Sequence, residues 1–322
     1  MPTGVSILKF DQDAPGSKSQ PFQGPLTSNL ISPSGFIYEH LVTLSDVDQF
    51  KHTSFANYVR LMFVAADTLF LTYLGPEYAA ARKMRLKFSK LHFKRQTVVG
   101  DVISIRVYDG AAQGSEIPLH FDFVLAGSNE AVATGFQLYE VVSPETEKPL
   151  SMTADMTSMI EAIKDPNFSD KEDVEPLEEN DWRPNCEVYL YNAVKPFFKH
   201  TDYYGHVHPF NYAEWTSFVR ESFFSEKCDD FRRIIASEIA MMTSKITVAM
   251  LSGSAFADPI QARLTVTRIK KVSFDVVIRY WNDRTKSFVA YTKHTLVFVD
   301  PKTGAFNPIP ASIRESIAPF AH

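Results

Sequence analysis

TDYYGHVHPFNYAEW, residues 201–215, decides how this chain is read, because a second stretch, SDVDQFKHTSFANYVR at 45–60, repeats its skeleton. Asp48, His52, Asn57 and Tyr58 answer Asp202, His206, Asn211 and Tyr212, every pair 154 positions apart. Each motif runs into an apolar segment at helical spacing. In the first, Phe55, Val59, Met62, Phe63, Ala66, Leu69 and Phe70 share one face, and Gly75 and Pro76 stop the helix. In the second, the helix is expected over about residues 210–225.

Outward from the motifs the same order recurs. A β-rich stretch precedes each one (38–44 and 187–194), and four alternating stretches follow each helix: 84–93, 101–108, 119–125 and 131–142, then 244–250, 260–269, 274–281 and 288–299. Asp101 answers Asp258, and Val142-Ser-Pro144 answers Val299-Asp-Pro301, both 157 positions on; Phe121-Asp122 is matched to Phe274-Asp275 at 153. A repeat of motif, element order and terminator means duplication. The expected organisation is an arm at 1–35, a first unit at 36–147, an acidic linker at 148–186 with a short helix near 152–163, and a second unit at 187–322. One long helix and about five strands per unit predict an α+β fold, each a curved, mostly antiparallel sheet wrapped around its helix. Two such sheets can hide an edge by pairing.

Composition narrows the function. Lys and Arg total 33 against 38 Asp and Glu, with no basic block, so nucleic acid has no electrostatic footprint to bind. No apolar run reaches membrane-spanning length, and the expectation is a soluble, cytoplasmic protein. Cys186 and Cys228 lack metal spacing and are too few for a disulfide framework. His200, His206 and His208 invite a metal reading, but the first unit has no counterpart cluster, so no metal is expected. Phosphate-cradling glycine loops and a G-x-S-x-G elbow are both absent, and no cofactor is implied.

The Asp, the loop ending Gly205-His206-Val207, and the Asn-Tyr entering a long helix resemble the hotdog-fold acyl-thioester proteins, in particular the 4-hydroxybenzoyl-CoA and acyl-ACP thioesterase branches. The resemblance implies two tandem hotdog units, a built-in dimer, acting on an acyl-CoA or acyl-carrier-protein thioester. Further association of the fused pair is left open. Hydrolysis needs a carboxylate to attack or to activate water, and donors where the oxyanion forms. By resemblance Asp48 and Asp202 take the carboxylate role, with His52 and His206 orienting substrate. Glu214, one turn into the second helix, and Asp67, an acid in an apolar helix, are further candidates, whereas Glu221 beside Arg220 reads as solvated or paired. Phe55, Asn57, Gly205, Phe210 and Asn211 are expected at the substrate. Each Asp, His and Asn also has a purely structural reading as a loop or cap residue. Lys51, Lys90, Lys94 and Arg95 either meet phosphate groups or are solvated surface.

The copies depart from the family differently. Lys51 replaces the loop glycine in the first. In the second, Pro209 falls where the family uses a backbone amide to polarise the thioester, and proline has no N–H. Phe55 keeps that amide in the first copy; in the second, Phe210 would have to replace it. One fully competent site at most is expected. The rival readings are a non-catalytic acyl-binding or assembly module and an acyl-thioester dehydratase or hydratase.

Overall fold

A computed structural model describes residues 31–32, 35–48, 51–165, 185–229, 231, 239–300 and 303–322. Most of the expected N-terminal arm and residues 166–184 of the expected linker lie outside the described residues. The first half runs β1 (Ile31–Ser32), β2 (Gly35–Leu41), α1 (Phe55–Leu74), α2 (Tyr78–Ala81), β3 (Lys83–Phe93), β4 (Val102–Asp109), β5 (Glu116–Leu125), β6 (Ala131–Val142) and α3 (Ala154–Ala162). The second runs β7 (Tyr189–Val194), α4 (Phe210–Lys227), β8 (Ala240–Met250), β9 (Ile260–Thr267), β10 (Ser273–Asn282), β11 (Ser287–Val299), β12 (Phe306–Asn307) and α5 (Ala311–Ile317).

All strands join one antiparallel sheet in the order β1-β2-β4-β5-β6-β3-β8-β11-β10-β9-β7, with β12 beside β11. From β2 outward the two halves have the same internal order, mirrored about the β3–β8 junction. The register sharpens this correspondence. Phe123 faces Ala133 before a bulge in β5–β6, and Tyr280 faces Ala290 before the bulge in β10–β11; both pairs differ by 157. The second bulge repeats too, between Leu86 and Phe88 against β6 and between Thr243 and Lys245 against β11. At the junction Lys90 faces Thr247, its own counterpart, so a pseudo-two-fold axis passes through that pair.

This register corrects one sequence match. Phe121 faces Gly135, and the residue that corresponds to it is Ile278, which faces Thr292; Phe274 lies four residues earlier. Strand side chains alternate with period two, so a four-residue slip keeps the same face inward, and Phe121 and Phe274 are both fully buried. Their likeness reports a shared face, not a shared position.

Helix α1 forms because its apolar face meets the first half-sheet. Ser54 caps it, its Oγ accepting from Asn57 N–H, and Gly75 ends it at φ 70°. Tyr58 packs edge-on against Phe123, Phe70 against Tyr139, and Met62 lies over Gly135, where a Cβ would meet its Cε at 2.7 Å. Helix α4 lies on the second half-sheet: Thr216 Oγ1 reaches Tyr280 Oη at 2.9 Å and Thr292 Oγ1 at 2.8 Å. Each fully buried large side chain contributes about 1.5–3 kcal/mol of transfer free energy, and α1 alone buries Leu61, Met62, Leu69 and Phe70 completely or nearly so.

Two helices carry the correspondence past the strands. Helix α3 packs Met156, Met159 and Ile160 into the core next to α1, while α5, 157 positions later, buries Ile313 and Ile317. Each is followed by a parallel bridge, Asp109 to Lys164 and Val266 to Ala321. Residues 154–163, read as part of a linker, are therefore packed against the first half. Among the described residues no helix is long and apolar enough to cross a membrane.

Candidate active site

The two motif loops share one backbone design. In the first, Asp48 N–H donates to His52 O (3.0 Å) and Lys51 N–H to Asp48 O (2.9 Å); in the second, Asp202 N–H donates to His206 O (2.7 Å) and Gly205 N–H to Asp202 O (3.0 Å). The turn requires a left-handed fourth residue. Gly205 has φ 80°, and Lys51 accepts φ 64° despite its side chain. His52 then bridges Val98, and His206 bridges Ala255, in the connections β3–β4 and β8–β9. Asp101 and Asp258 brace those connections through Val98 N–H (2.9 Å) and Ala255 N–H (2.8 Å).

Asn57 and Asn211 are placed alike. Asn57 Nδ2 donates to Asp46 O at 2.8 Å, and Asn211 Nδ2 to His200 O at 2.9 Å, so each amide ties the loop entrance to the helix start. Tyr58 and Tyr212 are core residues whose hydroxyls meet Thr97 and Ser254. Asp46 went unnoticed in the sequence. Burial pushes its carboxyl up, but bonds from Thr43 and His40 outweigh that and hold it below the usual carboxylate range.

Each loop faces the helix of the opposite half. The first junction is a cleft of about 1030 Å³ that includes Asp48, His52 and Phe55 from the first half with Arg220, Glu221 and Thr243 from the second. Phe93, Met241, Met242, Val297 and Phe306 give it apolar walls, and Lys94 and Arg95 line it as well. Phe55 is the first residue of α1, and no acceptor among the described residues takes its N–H. The Arg220 guanidinium lies over the Phe55 ring at 5.2 Å, and His294 packs edge-on to that ring at 4.6 Å. Burial lowers the Arg220 pKa, opposed by the charges of Glu221 and Asp48. Burial, reinforced by the charge of Arg220, pushes the pKa of fully buried His294 well below the usual imidazole range.

The second junction is smaller. A cavity of about 320 Å³ includes Asp202, His206, Pro209, Lys83 and Glu147. Asp202 Oδ1 accepts from Tyr204 and His206 N–H, both at 2.9 Å. Lys83 Nζ donates to His206 Nδ1 and, at 2.9 Å, to Glu147 Oε1. Pro209 offers no N–H, and the Phe210 N–H points at His208 Nδ1, 3.3 Å away. Asp67, contributed by α1, lines neither cavity and is exposed, but feels the Asp202 charge. Burial first and the Asp202 charge second push its carboxyl up to about 6. Burial brings His208 down to about 4, against the pull of Asp202.

Of the expected site residues, Asp48, His52 and Phe55 share one cleft, and Asp202 and His206 the other. Gly205 shapes the second loop. Glu214 is not among the residues lining either cavity; its charge acts on His200. Lys94 and Arg95 join the first cleft, whereas Lys90 stands at the pseudo-axis. Among the described residues no three His, Cys, Asp or Glu side chains form a metal-holding group. His200 Nδ1 accepts from Phe197 N–H at 3.0 Å, and His208 Nδ1 from Phe210, so these rings serve the loop backbone.

Comparison with known proteins follows the same line. A family profile described as the thioesterase-like superfamily aligns with residues 198–317, which span the second motif, α4 and β8 to α5. This segment is thioesterase-like. Solved thioesterase structures extend the similarity over both halves. A Lactobacillus plantarum protein assigned as an oleoyl thioesterase superposes with a TM-score of 0.65 at 10% identity, covering 81% of this chain and 95% of that one. An acyl-ACP thioesterase from Bacteroides thetaiotaomicron gives 0.62 at 10% identity, covering 81% and 96%. The 12:0-ACP thioesterase from Umbellularia californica gives 0.59 at 12%, covering 81% and 93%. These likenesses show a hotdog-type fold with a large antiparallel sheet and few helices. Curated protein sequences give no match.

Proposed function

We propose that the chain is a thioester hydrolase built from two tandem hotdog units, and that hydrolysis occurs in the cleft holding Asp48. One observation carries this choice of site: the roomy cleft brings Asp48 and His52 together with the Phe55 N–H, a helix-start donor without an acceptor among the described residues. A thioester carbonyl seated on that amide receives help as negative charge develops on oxygen. Asp48 then acts as base or nucleophile. As base it takes a proton from water, the hydroxide adds to the carbonyl carbon, the C–S bond breaks, and the sulfur leaves with the proton. As nucleophile its carboxylate oxygen adds to the carbonyl carbon, the C–S bond breaks and thiolate leaves; water then opens the resulting acyl anhydride, restoring the Asp48 carboxylate, and a proton from that water goes to the sulfur. Both routes convert thioester and water to a carboxylic acid and a thiol. The substrate is an acyl-CoA or an acyl carrier protein thioester, with Lys94 and Arg95 disposed to meet phosphate.

The second junction supports a non-catalytic reading of its own loop. Pro209 removes the donor, and the Asp202 and His206 side chains are engaged by backbone amides and by Lys83. Thiol release from a panel of acyl-CoAs and acyl carrier proteins tests both statements. Asp48→Asn is expected to lower kcat/KM about a hundredfold or more, and Asp202→Asn to leave it within a few fold. No thiol release from any substrate would sink the hydrolase reading. Loss confined to Asp202→Asn would move the chemistry to the other junction.

A further inference from the structure

We infer that the acyl group hydrolysed in the Asp48 cleft carries a hydrogen-bond-accepting oxygen close to the thioester, recognised by Arg220. The inference rests on the thioesterase reading of that cleft. A guanidinium has five N–H donors and keeps its charge inside a protein. The Arg220 side chain is only 12% exposed, yet among the described residues it has one acceptor within hydrogen-bonding distance, Thr243 Oγ1 at 3.1 Å from Nη1. Glu221 stands at 3.8 Å, beyond a hydrogen bond, and Nε is buried without a partner among the described residues. Beside it His294 is fully buried, and neither ring nitrogen has a partner among the described residues. Leaving such donors unmet costs free energy in any complex that expels water from them.

The position of Arg220 sets where the oxygen must be. Its guanidinium packs on the ring of Phe55, the same residue whose N–H is available to the reacting carbonyl. The donors therefore stand beside the carbonyl end of the acyl group, while Met241, Met242, Val297 and Phe306 of the same cleft suit hydrocarbon. At the other junction the corresponding residue of α1 is Ala66, fully buried and without a polar atom in its side chain. Arg220 is thus peculiar to the cleft assigned to chemistry.

The test compares 3-oxoacyl- and 3-hydroxyacyl-CoA with the saturated acyl-CoA of equal length. Wild-type protein should favour at least one oxygenated substrate about tenfold or more in kcat/KM, the scale of a hydrogen bond to a charged group. Arg220→Met should bring the ratio to within about twofold, and Arg220→Lys should keep part of it, which guards against a variant that misfolds. Equal turnover of saturated and oxygenated substrates by the wild type, or a preference that survives Arg220→Met, overturns the inference while leaving the hydrolase intact. If no substrate turns over, calorimetric binding of the unreactive thioether analogues decides separately. Tighter binding of the 3-oxo analogue that Arg220→Met abolishes supports the inference without the reaction, and equal binding of both analogues refutes it.

Discussion

Exchanging the residue types at the fourth position of each loop should move stability in opposite directions. Lys51 is exposed and sits at φ 64°, where an L side chain costs about 1–2 kcal/mol. Replacing it with glycine removes that strain but frees the unfolded chain, which costs about 0.4–1 kcal/mol in return. The net expectation for Lys51→Gly is stabilisation of about 0.5–1 kcal/mol. Gly205 is the mirror case: at φ 80° a Cβ would meet nothing within 4 Å, so Gly205→Ala carries the backbone cost alone. It should destabilise by a similar amount. With a urea m-value near 3 kcal/mol/M, the midpoints should shift by about 0.2–0.3 M, upward for the first variant and downward for the second. Midpoints that move the same way, or a downward shift for Lys51→Gly, would refute the claim that the two loops share one turn geometry.

Two further outcomes are expected. Asp67 binds its proton more tightly folded than unfolded, so its contribution to stability falls as pH rises from about 4 to 6; His208, lowered to about 4, contributes stability that is lost as pH falls below 6.5. The trends oppose, and Asp67→Asn should make the rise of melting temperature between pH 4 and 6.5 steeper than in wild type, with a flatter rise counting against a raised Asp67 carboxyl. Met159 in α3 is completely buried, and Met159→Ala should cost about 2–5 kcal/mol in chemical unfolding, whereas a tether would tolerate it.

What was legible in the sequence was local. The Asp-to-Tyr spacing, the helical stripe of α1 and the span of β6 each depend on neighbours a few residues apart. The slip between Phe121 and Ile278 was not legible, because alternation gives no phase beyond odd and even. Helix α3 was half-seen. Met156, Met159 and Ile160 have helical spacing, but the Pro-, Thr- and acid-rich segment around them read as a linker. Arg220 was passed over as the neighbour of a solvated glutamate, and nothing within α4 tells otherwise. Its surroundings are Phe55 and the first loop, placed there only when β3 pairs with β8.

The Lys90–Thr247 pair marks what a single chain permits that a symmetric dimer does not. In a homodimer any residue on the axis faces itself, so a lysine there would set two ammonium groups directly across a strand pair, and every improvement to one pocket would be imposed on the other. Covalent fusion lifts both constraints. The axis tolerates a cation because its opposite number is a threonine, and one junction can hold an arginine where the other holds an alanine. The assembly is also indifferent to dilution, since no partner has to be found for the composite cleft to exist.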